Sequence, residues 1–239
     1  MFRVLLLKRN LLKFFEIAVL LFSILISIGA ITKEQTLAMP TSAVFQKTVI
    51  LDAGHGGFDG GAVANDGTLE KDINLEITLK LKQYFLQGGF NVITIRETDT
   101  GIEDDPNLSI AKRKVSDMKK RLNIINSNQN ATYISIHLNK FTTSAPKGAQ
   151  VFYSKNLNES KSLAECLQYR ISMQLQTDNK RVVKPADKSI YLLNNAQIPA
   201  VIVECGFLSN SSDLKNLKSE EYQNKLAFSI YSGFLDYYN

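Results

Sequence analysis

The sequence predicts an α/β domain with an open, mostly parallel (mixed) sheet of about six strands and helices on both faces. Short apolar runs typical of strands alternate with longer segments whose apolar residues recur at helical spacing. One apolar run follows its predecessor with no helical segment between them, which predicts one antiparallel strand. The composition is that of a globular chain, because 44% of the 239 residues are hydrophobic and 21% are charged.

Apolar runs bounded by turn residues predict the strands. In chain order these runs are residues 48–53, 90–96, 132–137, 149–153, 190–193 and 200–205. The run at 149–153 is the one that follows its neighbour directly, so it is the predicted antiparallel strand.

Four segments are predicted as helices because their apolar residues line one face. The first two are marked by Ile73, Ile77, Leu81 and Phe85, and by Val115, Met118, Leu122 and Ile125. The third covers about residues 159–176. The last begins near residue 220 and presents Tyr222, Leu226, Ile230 and Phe234.

Residues 1–31 are predicted to form an N-terminal membrane anchor or signal segment. Basic side chains, among them Lys8 and Lys13, precede an almost wholly apolar stretch at residues 17–31. The basic flank keeps the N-terminus on the cytoplasmic side, so the rest of the chain is expected to be extracytoplasmic. An uncleaved or slowly cleaved anchor is favoured, with cleavage as the alternative.

Residues 32–46 are predicted to be a polar tether, and residues 47–239 a single domain. The net charge is +5, of which residues 1–31 contribute +3. The remaining +2 is too close to neutral to indicate a nucleic-acid partner. Cys166 and Cys205 could form one bridge or be two small buried side chains, and the sequence leaves both readings open.

The two histidines of the chain each stand at the carboxyl end of a predicted strand. His55 follows the first strand and precedes Gly56 and Gly57, whereas His137 closes the third strand. Ligands of open α/β sheets bind outside the carboxyl ends of the strands. Two imidazoles at neighbouring strand ends therefore predict a metal site, and imidazole suits zinc.

A catalytic zinc site needs a third protein ligand, and Glu70 is the first candidate. It opens the helix that follows the first strand and its glycine-rich loop. The competing carboxylates are Asp52, Asp59, Asp66 and Asp72.

A second carboxylate, Glu204, ends an apolar strand. Burial of an isolated charge is costly, so this side chain must be paired, bound to metal or functional. A salt bridge with Arg96 or Arg121 is the structural alternative.

Four blocks of the sequence resemble the zinc-dependent N-acetylmuramoyl-L-alanine amidases of bacterial cell walls. They are LDAGHGGFDGGA at 51–62, LEK at 69–71, SIHLN at 135–139 and VECGFLSN at 203–210. The family pattern usually differs at three positions, where this chain has Ala53, Lys140 and Cys205.

The resemblance implies an activity, a cofactor and a set of site residues. The activity is hydrolysis of the amide between N-acetylmuramic acid and L-alanine in peptidoglycan. The implied zinc ligands are His55, Glu70 and His137, and the implied catalytic residue is Glu204. Arg121 and Asn139 are weaker candidates for positioning the substrate.

Within that family, the chain is most similar to the spore-cortex (germination-specific) amidases of endospore-forming bacteria. This likeness rests on the single domain, on a leader with no further domain attached, and on the stretch at 96–121. Residues 141–148 are too short to hold the inhibitory helix that regulated cell-division relatives insert there. The likeness implies a role in muramic lactam formation, in the forespore intermembrane space, and an accessory activator protein is a further expected partner.

Three other functions stay open from the sequence. One is an amidase of vegetative cell separation, and another is a membrane-tethered peptidoglycan-binding module without turnover. The third is a glycosidase that uses two carboxylates, which would leave both histidines unexplained.

Overall fold

The structure is a computed structural model that describes residues 47–238. In this range the strands are β1 (Thr48–Ala53), β2 (Asn91–Thr94), β3 (Ala131–Asn139), β4 (Gln150–Tyr153), β5 (Lys184–Pro185) and β6 (Ala200–Phe207). The helices are α1 (Glu70–Gln87), α2 (Ile110–Asn126), α3 (Asn158–Gln174), α4 (Tyr191–Asn195), α5 (Ser211–Leu217) and α6 (Glu220–Tyr238).

The strands form one mixed sheet in the order β2-β1-β3-β6-β4-β5. β1 pairs in parallel with β2 and with β3, and β3 pairs in parallel with β6. β4 runs antiparallel to β6, as predicted for the strand that follows β3 without a helix. The predicted fold class is confirmed. Because β1, β3 and β6 run in the same direction, their carboxyl ends meet at one edge of the sheet.

Side chains alternate between the two faces of the sheet, and each face has its own core. On one face Leu51 and Val203 belong to the larger core, which α1, α3 and α6 cover. On the other face Ile50 and Ile202 pack with residues of α2 and α4, among them Ile125. We call the latter the α2/α4 face.

The α2/α4 face becomes polar towards the carboxyl edge. By the same alternation, the next side chains along β1, β3 and β6 on this face are Asp52, Ser135, His137 and Glu204. The sheet therefore collects its polar strand residues at the edge where ligands of such folds bind.

The predicted strand at 190–193 is wrong, because this segment enters helix α4. Leu192 and Leu193 are buried on the α2/α4 face, and the amide of Asn194 donates to the carbonyl of Ile190 in a helical turn. A short apolar run has the same composition in a strand and in a buried helical turn, so periodicity could not separate the two. The sixth strand of the sheet is instead β5, a two-residue edge strand.

The other predicted elements are present with shifted ends. β2 is shorter than 90–96, whereas β3 and β6 each extend two residues further, to Asn139 and Phe207. In α2 the predicted apolar face loses one member, since Val115 is 55% exposed.

Cys166 and Cys205 are both free thiols, so no disulfide joins them. Cys166 lies half-buried on α3, and Cys205 is buried in β6. The predicted anchor at 1–31 and tether at 32–46 lie outside the described residues and stay predictions. No helix within residues 47–238 combines the length and apolar character that a membrane span requires.

Candidate metal centre

His55 lies in a strained turn just after β1. Its φ is 63°, a left-handed conformation that residues other than glycine rarely adopt. The glycines that follow also have positive φ, 132° at Gly56 and 54° at Gly57. Arg121 holds the turn from below, because its Nη2 donates to the carbonyl of His55 at 2.8 Å. Strain that the surroundings maintain in this way is typical of functional sites.

His137 comes from β3 and reaches its place because residue 54 is glycine. A Cβ atom on Gly54 would lie 2.2 Å from Nε2 of His137, far inside contact distance. With this space free, the His55 and His137 rings lie 4.9 Å apart between centroids, at an angle of 74°. The two predicted imidazoles are therefore neighbours.

Glu70 completes the cluster from the first position of α1. Its Oε1 lies 3.3 Å from Nε2 of His55 and 2.9 Å from Nδ1 of His137. One ligand atom from each of the three residues lies within 4.8 Å of the others. The Glu70 carboxylate also accepts backbone hydrogen bonds from Ala62 at 2.8 Å and Leu138 at 3.0 Å.

The environment of Glu70 keeps it ionised. Burial by itself raises the pKa of this carboxyl group, but hydrogen bonds with His137 and His55 outweigh burial and hold the pKa far below its usual range. A side chain that stays an anion while only 3% exposed is suited to binding a cation.

Two of the competing carboxylates lie elsewhere. Asp66 pairs with Lys218 at 2.8 Å near the surface, and Asp52 pairs with Arg121 beneath the site. Asp59 has a different role, because its Oδ2 contacts Nδ1 of His55 at 2.9 Å. A carboxylate on one ring nitrogen fixes the tautomer and directs the other nitrogen to a metal.

The donor set fits zinc. Two imidazole nitrogens and one carboxylate oxygen are a known catalytic zinc set, which leaves a fourth position open. Around His55, burial lowers the pKa but hydrogen bonds with Asp59 and Glu70 raise it to about 9. Metal binding would have to displace that proton, as is usual for histidine ligands.

Glu204 stands beside the cluster with an unused oxygen. Its β6 position pairs in register with His137 on β3, so both side chains leave the same face. Its Oε2 is buried and has no hydrogen-bond partner among residues 47–238. Burial raises the pKa of Glu204 to about 7, with the Glu70 charge adding to the effect.

The salt-bridge alternative for Glu204 is wrong. Arg121 is 1% exposed and pairs with Asp52 and Asp117 instead. Arg96 donates to backbone carbonyls, among them that of Ala53 at 2.8 Å. Both guanidinium groups hold the loop that carries His55, and neither touches Glu204.

Of the two weaker positioning candidates, Arg121 contacts the loop that carries His55, and Asn139 follows His137 by two residues on β3. Arg121 forms a buried network with Asp52, whose carboxylate also accepts from Tyr133 at 2.5 Å. Asn139 is half-buried at the end of β3, and its carbonyl accepts the amide of Leu208 at 2.8 Å.

Sequence reasoning missed three supporting residues. Asp59 was weighed only as a ligand, although it orients His55. Asn74 is fully buried on α1, one helical turn after Glu70, and donates to Glu70 Oε1 at 3.3 Å and to the carbonyl of Gly54 at 3.2 Å. A polar residue on the apolar face of a helix was the available signal. Arg96 supports the His55 loop by donating to the carbonyls of Ala53 and Gly54, and no pattern in its neighbouring residues predicts this role.

A cavity of about 300 Å³ opens next to the cluster, between the His55 loop, α2 and α4. His55 and His137 lie in its wall together with apolar side chains such as Phe58, Met118 and Ile202. Two of the three metal-binding residues therefore face a space that a substrate group can enter.

Comparison with known proteins identifies the family that this arrangement belongs to. Residues 49–236 match the N-acetylmuramoyl-L-alanine amidase family. The germination-specific N-acetylmuramoyl-L-alanine amidase of Bacillus subtilis is 37% identical over 192 residues, which is 80% of each chain. The amidase LytC of the same species is 31% identical over 82% of this chain and 36% of LytC.

Solved structures share the fold. The CwlD amidase of Clostridioides difficile, solved in complex with the GerS lipoprotein, has a TM-score of 0.78 and 44% identity. The match covers 80% of this chain and 98% of CwlD. The amidase AmiC2 of Nostoc punctiforme has a TM-score of 0.68 and 30% identity, over 81% of this chain and 97% of AmiC2.

Proposed function

We propose a metal, a catalytic residue and a cellular role for this chain, which belongs to the N-acetylmuramoyl-L-alanine amidase family. Its activity is that of a peptidoglycan N-acetylmuramoyl-L-alanine amidase. The proposal is that hydrolysis depends on zinc held by His55, Glu70 and His137, with Glu204 as the catalytic residue, in spore cortex modification. One observation carries it: three metal-binding donors converge beside a buried carboxylate oxygen that has no hydrogen-bond partner in the described part of the chain.

Zinc bound by the three donors would polarise the scissile carbonyl and make a water molecule nucleophilic near neutral pH. Glu204 takes a proton from that water, whose oxygen bonds to the carbonyl carbon. When the carbon–nitrogen bond breaks, Glu204 returns the proton to the leaving amine of L-alanine. A glutamate whose pKa is raised by burial, as Glu204 is, is a stronger base towards water than an exposed one.

The supporting residues hold the ligands rather than react. Asp59 sets the tautomer of His55, and Arg121 holds the carbonyl of the same residue. Because Arg121 is buried on the carboxylates of Asp52 and Asp117, we propose that it positions His55.

Two measurements test whether hydrolysis depends on zinc and which bond is cleaved. Dialysis against a chelator should abolish hydrolysis of purified peptidoglycan, and added zinc should restore it, with intact stem peptides as products. Replacing His55 or His137 with alanine should lower the zinc content. A fully zinc-loaded His137→Ala protein with normal turnover would overturn the ligand assignment.

The same measurements distinguish an amidase from a glycosidase and from a peptidoglycan-binding module. Release of reducing sugar ends without free stem peptides would indicate a glycosidase. Binding of peptidoglycan with no released product, in the zinc-loaded protein, would indicate a binding module.

The cellular role rests on the likeness to an amidase described as germination-specific. Removal of stem peptides in the spore cortex would leave muramic acid free to cyclise to a lactam. Deletion of the gene should then give spores whose cortex lacks the lactam and which germinate poorly. Normal cortex with impaired separation of daughter cells would instead place the protein in vegetative division.

We also propose a location and a partner. The predicted leader at 1–31 would anchor or export the domain to the extracytoplasmic side, which is the forespore intermembrane space in a sporulating cell. A related amidase was solved in complex with a lipoprotein, which supports an accessory protein here as well. Loss of the anchor by cleavage would be visible as a shortened mature chain on mass spectrometry.

A further inference from the structure

A second cavity, of about 310 Å³, lies on the other side of Glu204, and we call it the β4/β5 cavity. Its wall contains aromatic and cationic side chains from three strands, namely Phe152 on β4, Lys184 on β5 and Phe207 on β6. The wall also includes Phe141, Gln150 and Arg181. Gln150 is the register partner of Glu204 across the antiparallel pair of β4 and β6. Directly opposed residues of such a pair share a face, so this cavity continues the α2/α4 face beyond Glu204.

Arg181 is held in the wall of this cavity by three contacts. Its Nε donates to the carbonyl of Lys147 at 2.9 Å, and its Nη1 donates to Oε1 of Gln150 at 2.8 Å. The guanidinium also lies 4.7 Å from the ring centroid of Phe207. These contacts fix the plane of the fork, so little side-chain freedom remains to be lost when a ligand binds.

Neither cation of the cavity is neutralised by a carboxylate of the described residues. Over residues 47–238, Arg181 and Lys184 form no ion pair, although many other basic side chains do, as Lys147 does with Asp178. Arg181 keeps its Nη2 free of hydrogen bonds within the same range, and Lys184 is exposed on β5. A preorganised guanidinium beside an ammonium group is suited to bind a carboxylate.

The mechanism indicates which part of the substrate lies over this cavity. Glu204 returns its proton to the leaving amine, so the nitrogen of L-alanine must lie next to Glu204. The His55 side of the site, with its own cavity, is then left to the muramoyl part. The peptide extends from its nitrogen past Glu204, towards Gln150 and the two cations.

We propose that the β4/β5 cavity binds the stem peptide and that Arg181 and Lys184 bind a free carboxylate of that peptide. The inference rests on the proposed role of Glu204. A stem peptide joined to muramic acid through its N-terminal amine carries its free carboxylate on the far side, where the two cations stand. Arg181 and Lys184 thus determine preference among peptides and take no part in the chemical step.

The test compares two soluble substrates that differ only in charge. They are an N-acetylmuramoyl peptide with free carboxylates and the same compound with its carboxylates amidated. The zinc-loaded protein should hydrolyse the first with a kcat/KM on the order of tenfold higher, as expected for a hydrogen bond to a charged group. Most of the difference should lie in KM.

Matched variants assign the preference to the two cations. Lys184→Gln and the double variant with Arg181→Gln should lose the preference stepwise, because hydrolysis of the free-carboxylate substrate falls more than hydrolysis of the amidated one. Lys180→Gln removes the same charge from an exposed neighbour of Arg181 outside the cavity, and it should keep the preference. Arg181→Lys, which keeps the charge, should retain part of the preference that Arg181→Gln loses.

A binding measurement keeps this inference separate from the proposed function. Calorimetry with the released peptide alone should show tighter binding of the free-carboxylate form; Lys184→Gln should reduce that difference and the double variant should remove it. Carboxylate-dependent binding without turnover would count against the proposed function and not against the cavity. Turnover with equal preference for both substrates, or an equal loss on both in the double variant, would overturn the inference.

Discussion

His137 on β3 and Glu204 on β6 occupy the same register position of two parallel strands. The backbone hydrogen bonds of the sheet therefore set the spacing between a metal-binding residue and the proposed base. His55 comes from a loop and Glu70 from the first turn of a helix, so the hydrogen bonds of the sheet do not set their places. This division explains why so many buried contacts, from Arg96, Arg121 and Asn74, converge on the loop and the helix start.

Replacement of Glu204 with glutamine should remove catalysis and leave the metal in place. Glutamine keeps the size of the side chain but lacks the basic oxygen, so turnover should fall on the order of a hundredfold or more. Zinc content, measured by atomic spectroscopy, and the melting temperature of the zinc-loaded protein should stay close to wild type. Turnover near wild type in this variant would show that another carboxylate acts as the base. Loss of zinc would instead make Glu204 a ligand.

The same substitution should change how stability depends on pH in the metal-free protein. Because the pKa of Glu204 is about 7 in the fold against 4.5 as its ordinary value, the folded state holds a proton that the unfolded state releases. The contribution of this bound proton to the free energy of unfolding is fully present below about pH 4.5 and is lost as the pH rises through 7. Relative to wild type, Glu204→Gln should therefore gain up to roughly 3 kcal/mol between pH 4 and pH 8.

Urea unfolding of both chelated proteins across this range measures the difference. Titrating groups remote from Glu204 are common to the two proteins and cancel in the comparison, whereas His55, Glu70 and His137 interact with Glu204 and contribute to the measured difference. A stability difference that stays constant from pH 4 to pH 8 would show that Glu204 is not a buried group of raised pKa.

Much of the metal centre could be predicted from the sequence, because its ligands sit at positions that local pattern defines. His55 and His137 mark the ends of two apolar runs, and Glu70 starts a segment of helical period. Glu204 stood out as a carboxylate at the end of a buried strand. Each signal needs only neighbouring residues.

The network beneath the site could not be predicted in the same way. Asp52 and Arg121 pair although they are 69 positions apart, and nothing in the neighbourhood of either residue specifies the other. Arg121 even lies on a helix rich in solvent-exposed basic residues, which favours the expectation of a surface side chain. The error at 190–193 has another cause, because a run of three or four apolar residues is too short to show a period.

Replacement of Asp59 with asparagine should weaken zinc binding without removing a ligand. The Asp59 carboxylate contacts Nδ1 of His55 at 2.9 Å, and loss of its charge makes the imidazole a poorer donor. Partners of this kind are worth about 10- to 100-fold in metal affinity. Competition with a chromogenic chelator measures the change. Asp66→Asn is the matched control, because Asp66 lies in the same loop region but pairs with Lys218; equal affinities in the two variants would contradict this role of Asp59.

Replacement of Gly54 with alanine should damage the metal centre through a single contact. A Cβ atom at this position would lie 2.2 Å from Nε2 of His137, although the backbone conformation of Gly54 is one that alanine can adopt. The imidazole must therefore move, which should lower zinc occupancy and cost about 1–3 kcal/mol of stability, as overpacking commonly does. Gly60→Ala provides the control in the same loop, since its Cβ would meet Leu69 at 3.6 Å, an ordinary contact. Zinc titration and thermal unfolding of both variants should show a loss at position 54 and none at position 60. If Gly54→Ala binds zinc as tightly as wild type, the His137 ring does not need the space that a Cβ atom at position 54 would fill. The assignment of His137 as a zinc ligand would then be contradicted.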